Sequence, residues 1–231
     1  MLRKPEPDAR LRTAADFVRQ DAVFADVGTD HAYLPVFLLL AGRIRRAYAC
    51  DIAPGPLARA EKNVRKYGLA DKVTLRLTDG LAGLEGEGLT DIAICGMGGE
   101  VMVSILSAAP FVRDGGFRLI LQPNSRAAVL RRYLCAEGFA IEEERTVKAG
   151  DKLYFCLCCT YTGQRTVLTK AEAELGPYNL AHPGAAFAEL VGRRSEAAQK
   201  RLAGLHAGGI TDPEEEAYAA FLANWRMHET D

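Results

Sequence analysis

Short apolar segments alternate with helix-like segments along the first two thirds of the chain, and an acidic residue or a glycine stands at or just after the end of most of them. The segment at 22–27, for example, leads into Gly28, and helical spacing follows at 33–42. Strands that alternate with helices form a parallel sheet through right-handed crossovers. We therefore predict an α/β fold. Its five parallel strands are expected at 22–27, 45–50, 72–77, 91–95 and 117–121.

The second half of the chain changes character. Two further strands, at 140–148 and 152–161, are separated by a glycine-containing turn at 149–151, which is typical of an antiparallel β-hairpin. Beyond them, apolar residues recur at helical spacing in two stretches, with Gly208 between the stretches and Pro213 at the start of the second. This pattern predicts a C-terminal antiparallel helical hairpin. The predicted division is a sheet domain of residues 1–163 and a helical, coiled-coil-like extension of residues 164–231.

Composition excludes several classes of protein. The formal net charge is −1, which argues against a protein that coats nucleic acid through charge alone. The six cysteines lack the spacing of a disulfide scaffold or a zinc site, so we expect reduced thiols and no metal. The first residues lead into charge rather than into a long apolar run. We therefore expect a cytoplasmic protein without a signal peptide or a membrane span.

Polar and glycine residues cluster after every predicted parallel strand. The carboxyl ends of such strands meet at one edge of the sheet, where ligands bind. The first cluster lacks the Gly-x-Gly-x-x-Gly pattern of a pyrophosphate site, and its carboxylates would repel phosphate. A ligand with an amine and a ribose diol but no phosphate fits better, and S-adenosylmethionine is such a ligand. The clusters are Asp26 to His31, Asp51-Ile52, Asp79-Gly80, Gly96 to Gly99 and Gln122 to Asn124.

Each acidic residue of this edge is expected to contact a different part of the cofactor. Asp51 is placed to accept the ribose hydroxyls, Asp79 to face the adenine, and Asp26 to face the methionine part. Any one of these residues is as readily a helix cap, so the prediction depends on the whole set. The predicted cofactor-binding residues are Asp26, Gly28, Thr29, Asp51, Ile52, Asp79, Gly80 and Gly96.

Three motifs, taken in order, resemble those of the bacterial tRNA (adenine-22-N1)-methyltransferases. They are Asp26-Val27-Gly28-Thr29-Asp30-His31-Ala32-Tyr33-Leu34-Pro35, Gly96-Met97-Gly98-Gly99 and Gln122-Pro123-Asn124. The resemblance covers about residues 8–162. It implies a Rossmann-like class I methyltransferase sheet, and transfer of a methyl group from S-adenosylmethionine to N1 of adenine 22 in tRNA.

The expected chemistry needs little from the protein besides alignment. Adenine N1 carries a lone pair, so its attack on a methyl group requires no prior deprotonation. Related enzymes that methylate exocyclic amines usually carry an (Asp/Asn)-Pro-Pro-aromatic loop where this chain has glycines, which favours the ring nitrogen as acceptor. We expect Asp30 as the polar partner of the base, with His31 as the second candidate and Asn124 at the base edge. Helix-start and turn positions remain alternative interpretations of His31 and Asn124.

The substrate-binding residues are predicted in two groups. Tyr33 is expected to stack on the extracted base, which lies on the backbone of Met97, Gly98 and Gly99. Arg43 and Arg46 are expected to contact the RNA backbone, although solvated surface positions are the alternative. We expect a monomer that binds tRNA; a methyltransferase for another RNA or a small molecule, or a non-catalytic nucleotide-binding module, remains the alternative. Further cationic candidates are Arg3, Lys4, Arg10, Arg12 and Arg19.

Overall fold

A computed structural model of the chain describes residues 6–226, so Arg3, Lys4 and the first residues, on which the absence of a signal peptide was predicted, lie outside the described part. A single seven-stranded sheet forms the centre of this structure. Its strands are β1 (Ala22–Val27), β2 (Ile44–Asp51), β3 (Val73–Leu77), β4 (Asp91–Gly98), β5 (Arg118–Ser125), β6 (Phe139–Ala149) and β7 (Lys152–Tyr161).

Helices follow the strands and cover both faces of the sheet. None of the helices between residues 6 and 226 combines the length and the apolar character that crossing a bilayer requires. A short 3-10 helix also precedes β5, at Pro110–Arg113. The α-helices are α1 (Ala9–Phe17), α2 (Tyr33–Leu40), α3 (Pro54–Lys66), α4 (Gly99–Ser107), α5 (Ala127–Glu137), α6 (Lys170–Leu175), α7 (Pro177–Ala181), α8 (Ala185–Ala207) and α9 (Pro213–Asn224).

The strand order is β3-β2-β1-β4-β5-β7-β6. Strands β1 to β5 pair in parallel, whereas β7 runs antiparallel to both of its neighbours. The predicted five parallel strands and closing hairpin are therefore confirmed. The order reverses between β1 and β4, and ligands bind at such a switch point in open α/β sheets.

Two strands extend further than their sequence predicts. The ladder between β4 and β5 continues past Cys95 through two irregular steps, in which Met97 lies opposite Pro123 and Gly98 opposite Ser125. The predicted glycine loop after the fourth strand is thus mostly strand, and α4 begins at Gly99. Gly98 pairs across the two strands, whereas Gly96 lies at the irregular step with a φ of +80°, a conformation that glycine permits.

The apolar core lies on the two faces of the sheet. On β7, Cys156 and Cys158 pack with α1 to α3, and Cys159 packs with the opposite face, as the alternation of a strand requires. All three cysteines are buried, and burial raises the pKa of each thiol. These cysteines therefore act as small apolar core residues.

Helices α8 and α9 form the predicted antiparallel hairpin. The ring of Phe187, near the start of α8, meets Trp225 beyond the end of α9 at a centroid distance of 5.5 Å. At the opposite end, His206 Nε2 lies 3.2 Å from Glu216 Oε1. Phe187 and Leu190 belong to the same buried cluster as the sheet residues, so the hairpin packs directly on the sheet domain. The division at residue 163 stays a prediction.

A buried ion pair connects helices α5 and α6 with the sheet. Arg131 on α5 donates to Glu144 on β6, at 3.0 Å from Nε and 2.5 Å from Nη2, and both side chains are fully buried. Its Nη1 donates to the carbonyl of Ala173 on α6, and the guanidinium lies over the Phe155 ring. One arginine thus joins α5, β6, β7 and α6.

Candidate active site

Two cavities open at the carboxyl edge of the sheet, on either side of Gly28. The β2-side cavity has a volume of about 230 Å³ and is lined by Asp51, Ile52 and Met97, among others. The α1-side cavity has a volume of about 330 Å³ and is lined by Asp26, Asp30 and other residues of β1 and α1. Further lining residues are Asp79, Gly80, Val101 and Ile105 in the first, and Asp8, Arg10, His31, Tyr33, Gly96 and Gln122 in the second.

Gly28 lines both cavities, and we call the backbone that they share at this residue the Gly28 passage. Its φ is +78°, and a Cβ at this position would collide with Cε of Met97. The backbone N–H groups of Gly28 and Thr29 both donate to the carbonyl of Cys50 at 2.9 Å, which fixes the turn after β1. The Thr29 hydroxyl oxygen accepts from the N–H of Ala32 just before α2. A ligand that crosses from one cavity to the other must therefore pass over exposed backbone.

Asp26 is a buried carboxyl group at this passage. Its pKa is raised to about 6, chiefly by burial; a hydrogen bond from Thr29 lowers this pKa, and the nearby Asp51 carboxylate raises it. Within residues 6–226 no basic side chain forms an ion pair with Asp26. A buried carboxylate without a protein cation suits a ligand that brings a positive charge of its own.

The β2-side cavity combines one carboxylate with apolar walls. Asp51 lines this cavity and accepts a hydrogen bond from the N–H of Ala53 through Oδ1, at 2.8 Å, whereas its Oδ2 accepts none within the described residues. Ile52 is 69% exposed although it is apolar. Val101 and Ile105 form the opposite wall, and Ile105 packs close to Gly80. A carboxylate that accepts hydrogen bonds, set among apolar walls, fits a vicinal diol beside a flat purine ring.

The α1-side cavity holds a connected polar group around Asp30. Its carboxylate accepts hydrogen bonds from Arg59, with Nε at 3.0 Å, and lies 3.2 Å from Nε2 of His31. The His31 ring stacks on Tyr33 at a centroid distance of 5.0 Å. The carbonyl of His31 accepts from Asn63, one turn after Arg59 on α3. The structure thus brings Asp30, His31 and Tyr33 together, as the sequence predicts.

Asn124 is oriented by an arginine that the sequence did not connect with it. Arg10 of α1 donates from Nη1 to Asn124 Oδ1 at 3.0 Å, across 114 residues of chain. Because a guanidinium only donates, the amide must turn its Nδ2 toward the carbonyl of Gly96, at 2.7 Å. Gln122 also donates to Asn124 Oδ1. Asn124 therefore retains one free N–H and can only donate to a bound base.

Comparisons with known proteins show the family of the chain. The methyltransferase domain family matches residues 8–157. The tRNA (adenine(22)-N(1))-methyltransferase of Bacillus subtilis (strain 168) is 38% identical over 145 residues, which are 63% of this chain and 61% of that protein's length. A candidate tRNA (m1A22) methyltransferase from Streptococcus pneumoniae, solved in complex with S-adenosyl-L-methionine, is 31% identical, with 93% of this chain and 96% of that chain covered and a TM-score of 0.81. The chain belongs to the tRNA (adenine-22-N1)-methyltransferase family.

A second solved structure agrees with this assignment. The m1A22 tRNA methyltransferase of B. subtilis is 29% identical, with 95% of each chain covered and a TM-score of 0.81. The agreement extends over the helical hairpin as well as the sheet, because 95% of the chain reaches well beyond β7. The Rossmann-like class I methyltransferase fold of this family member is thereby confirmed.

The three glycines at the end of β4 and the start of α4 have different structural roles. Gly96 lines the α1-side cavity and presents its carbonyl to Asn124. Gly98 and Gly99 lie outside the linings of both cavities, and a Cβ on Gly99 would collide with the carbonyl of Arg126. Close helix packing therefore explains Gly99, and the predicted contact of Gly98 and Gly99 with the base finds no support. Met97 lines the β2-side cavity, and its contact with the base stays a prediction.

Two predicted RNA contacts lie at the opposite edge of the sheet. Arg43 directly precedes β2 and donates from Nε to the carbonyl of Val18 at 2.6 Å. Arg46 lies early in β2 and donates to the carbonyl of Glu87. The cavities adjoin Asp51, at the other end of the same strand, so neither arginine reaches them. Both side chains fasten loops, and their contact with RNA stays a prediction.

Nothing in the described range of the chain resembles a metal centre. Between residues 6 and 226 no three His, Cys, Asp or Glu side chains are grouped as a metal ion requires. Cys50 ends beside the β2-side cavity, but burial raises the pKa of its thiol to about 12. A thiol held in its neutral form is a poor nucleophile and a poor metal ligand.

Proposed function

We propose that this chain transfers a methyl group from S-adenosylmethionine to N1 of adenine 22 in tRNA. The observation that carries the proposal is the buried Asp26 carboxyl beside Gly28, between the β2-side and the α1-side cavity. Within residues 6–226 it forms no ion pair with a basic side chain. The B. subtilis relative is named for this reaction, and the S. pneumoniae relative was solved with this cofactor. Both facts support the proposal.

The residues at the edge fit the cofactor part by part. Asp51 would accept the ribose hydroxyls, and the apolar side chains of Ile52 and Val101 would enclose the adenine. Asp26 and the backbone of Gly28 would hold the methionine part, whose ammonium and sulfonium groups offset the buried carboxylate. The bound cofactor supplies a methyl group on a positively charged sulfur.

The chain's own task is to present the base. An adenine must leave its stack at a cost of a few kcal/mol, and the stacked pair of Tyr33 and His31 offers an aromatic surface that repays part of it. Asp30 would accept a hydrogen bond from the adenine amino group, and its negative charge would stabilise the positive charge that develops on the ring. The free N–H of Asn124 would donate to a ring acceptor other than N1, because N1 must keep its lone pair for the methyl group.

The test is methylation of unmodified tRNA transcripts with labelled cofactor, followed by mapping of the modified nucleotide. We expect one N1-methyladenine at position 22, and no incorporation into a matched transcript that carries guanine there. Small-molecule acceptors serve as the comparison. Labelling of small acceptors but not of tRNA, or a methyl group on the exocyclic amine, would contradict the proposal.

Three coarser features follow from the same proposal. A tRNA substrate is available in the cytoplasm, where we expect the enzyme to act. We also expect the enzyme to act as a monomer. We treat residues 164–231 as an extension attached to the methyltransferase domain; limited proteolysis that releases an intact 1–163 fragment would support this boundary.

A further inference from the structure

A third cleft opens beside the α1-side cavity, between the β6–β7 turn and helix α8. Its volume is about 420 Å³. Asn124 lines one end of this cleft, and Lys152, Tyr154 and Arg193 line its walls. We call it the β7–α8 cleft; its other lining residues are Asp151, Leu153, Leu190 and Arg194.

The β7–α8 cleft is continuous with the candidate base site. Asn124 belongs to its lining and is hydrogen-bonded to Arg10 and to Gly96, which both line the α1-side cavity. The guanidinium of Arg10 lies over the Tyr154 ring, with 4.9 Å between its central carbon and the ring centroid. The side chains of Arg10, Asn124 and Tyr154 therefore connect the linings of the two spaces. When one nucleotide of an RNA occupies the base site, the nucleotide next to it in the chain would therefore lie close to the cleft.

The lining of the cleft is positively charged in a chain whose net charge is −1. Its lining holds three cations, Lys152, Arg193 and Arg194, and one carboxylate, Asp151. Arg193 also pairs with Glu189 at 2.6 Å, and Arg194 pairs with Glu174 at 3.1 Å. In the described part of the chain no acidic side chain forms an ion pair with Lys152. Arg193 donates to the carbonyl of Asp151 at 2.7 Å and is half exposed, so its guanidinium is held at the cleft. Fixed cations beside an aromatic ring match a phosphate beside a base or ribose.

The rest of the helical hairpin offers no comparable surface in the described part of the chain. Arg201, farther along α8, pairs with the buried Glu215 at 2.6 Å, and Lys170 pairs with the same carboxylate at 2.9 Å. Their charges are neutralised within the hairpin. Among the cations that line the cleft, Lys152 has no acidic partner in the described part of the chain, and it lies at the start of β7, next to the base site.

We propose that the β7–α8 cleft binds the tRNA nucleotide adjacent to the target adenosine, an inference that rests on the proposed function. Its phosphate lies at Lys152 and Arg193, and its base or ribose packs against Tyr154. In this arrangement α8 contacts RNA at the cleft rather than along its whole length. The cleft thus acts on substrate binding and leaves the cofactor and the reacting atoms untouched.

The test compares Lys152→Gln, Arg193→Gln and the double variant with Lys200→Gln, which removes an exposed α8 cation outside the cleft. Binding of labelled tRNA and steady-state methylation are both measured over a range of salt concentrations. We expect each cleft variant to raise KM and Kd for tRNA severalfold, with kcat and affinity for S-adenosylhomocysteine nearly unchanged. The slope of log Kd against log salt should fall by about 0.7 for each phosphate that no longer meets a cation. Lys200→Gln should match the unaltered protein.

Several results would overturn the inference. Unchanged tRNA affinity and salt slope in the double variant would exclude the cleft, and an equal weakening in Lys200→Gln would indicate general attraction along the hairpin. Because Lys152 is exposed at the start of β7, its single variant remains informative even if Arg193→Gln destabilises the fold by removing the hydrogen bond to Asp151. If the unaltered protein binds tRNA but does not methylate it, the proposed function fails while the binding data still decide on the cleft.

Discussion

Replacing Asp26 with Asn should stabilise the ligand-free protein at neutral and alkaline pH, and should weaken its hold on the cofactor. The Asp26 carboxyl is buried at the Gly28 passage, and its pKa is raised from 3.8 to about 6. Asn has nearly the same shape, keeps an acceptor for the Thr29 hydroxyl, and carries no charge to desolvate. The substitution therefore removes a cost that the folded protein bears only when this group is ionised.

The size and sign of the effect follow from proton linkage. Between pH 3.8 and about 6 the folded state keeps the Asp26 proton that the unfolded state has released, so wild-type stability falls as pH rises through this window. The full difference in pKa corresponds to about 3 kcal/mol, of which about 2 kcal/mol develops between about pH 4.5 and about pH 8. An Asn N–H without an acceptor would cost about 1 kcal/mol at every pH. We thus expect a net gain of about 2 kcal/mol at about pH 8.

Urea unfolding of both proteins without cofactor, at about pH 4.5 and about pH 8, measures this difference. Asp79→Asn, an exposed carboxylate at the same edge, is the matched control and should change stability by less than about 0.5 kcal/mol. Calorimetry with S-adenosylhomocysteine should show at least about tenfold weaker binding to the Asp26 variant, since a charged hydrogen bond is removed. A stability difference that does not grow between the two pH values would refute the assignment of a costly buried charge to Asp26.

Three further substitutions test other parts of the structure. Asp51→Ala should weaken S-adenosylhomocysteine binding at least about tenfold by calorimetry, because the ribose hydroxyls lose a charged acceptor; unchanged affinity would remove Asp51 from the cofactor site. Asp30→Ala should lower kcat about ten- to a hundredfold in the tRNA assay while cofactor affinity stays near normal, and equal damage to both would contradict its role at the base. Arg131→Met should destabilise the protein by about 3 to 5 kcal/mol in urea unfolding by leaving Glu144 buried and unpaired, and a double variant with Glu144→Leu should recover much of that stability.

The sheet could be predicted because its strands and helices each follow their own period. Apolar runs mark β1 and β4, and the spacing of Leu57, Ala60 and Val64 marks α3, whose buried face consists of these residues. The ends of β4 and β5 could not be predicted in this way. Gly96 lies at an irregular step of the ladder with a φ of +80°, and Pro123 is an unfavourable strand residue that lies in the sheet opposite Met97.

The candidate site was predictable where strand polarity alone decides and unpredictable where distant side chains meet. The acidic edge follows from the carboxyl ends of the strands, and the same rule would have placed Arg43, which precedes β2, at the far edge. By contrast, Arg10 meets Asn124 across 114 residues. Arg59 meets Asp30 across 29 residues, and the only local signal is that Arg59 and Asn63 share one face of α3.

The way α8 packs has a consequence for how an RNA must approach. Phe187, Leu190 and Val191 are buried in one continuous core with the sheet, so α8 is not a hinged arm that could swing around its target. The distance between the base site and the cations on α8 is then fixed before any RNA binds. Only an RNA whose folded shape spans this distance can present its adenine. We therefore expect the protein to select its substrate by shape rather than by sequence.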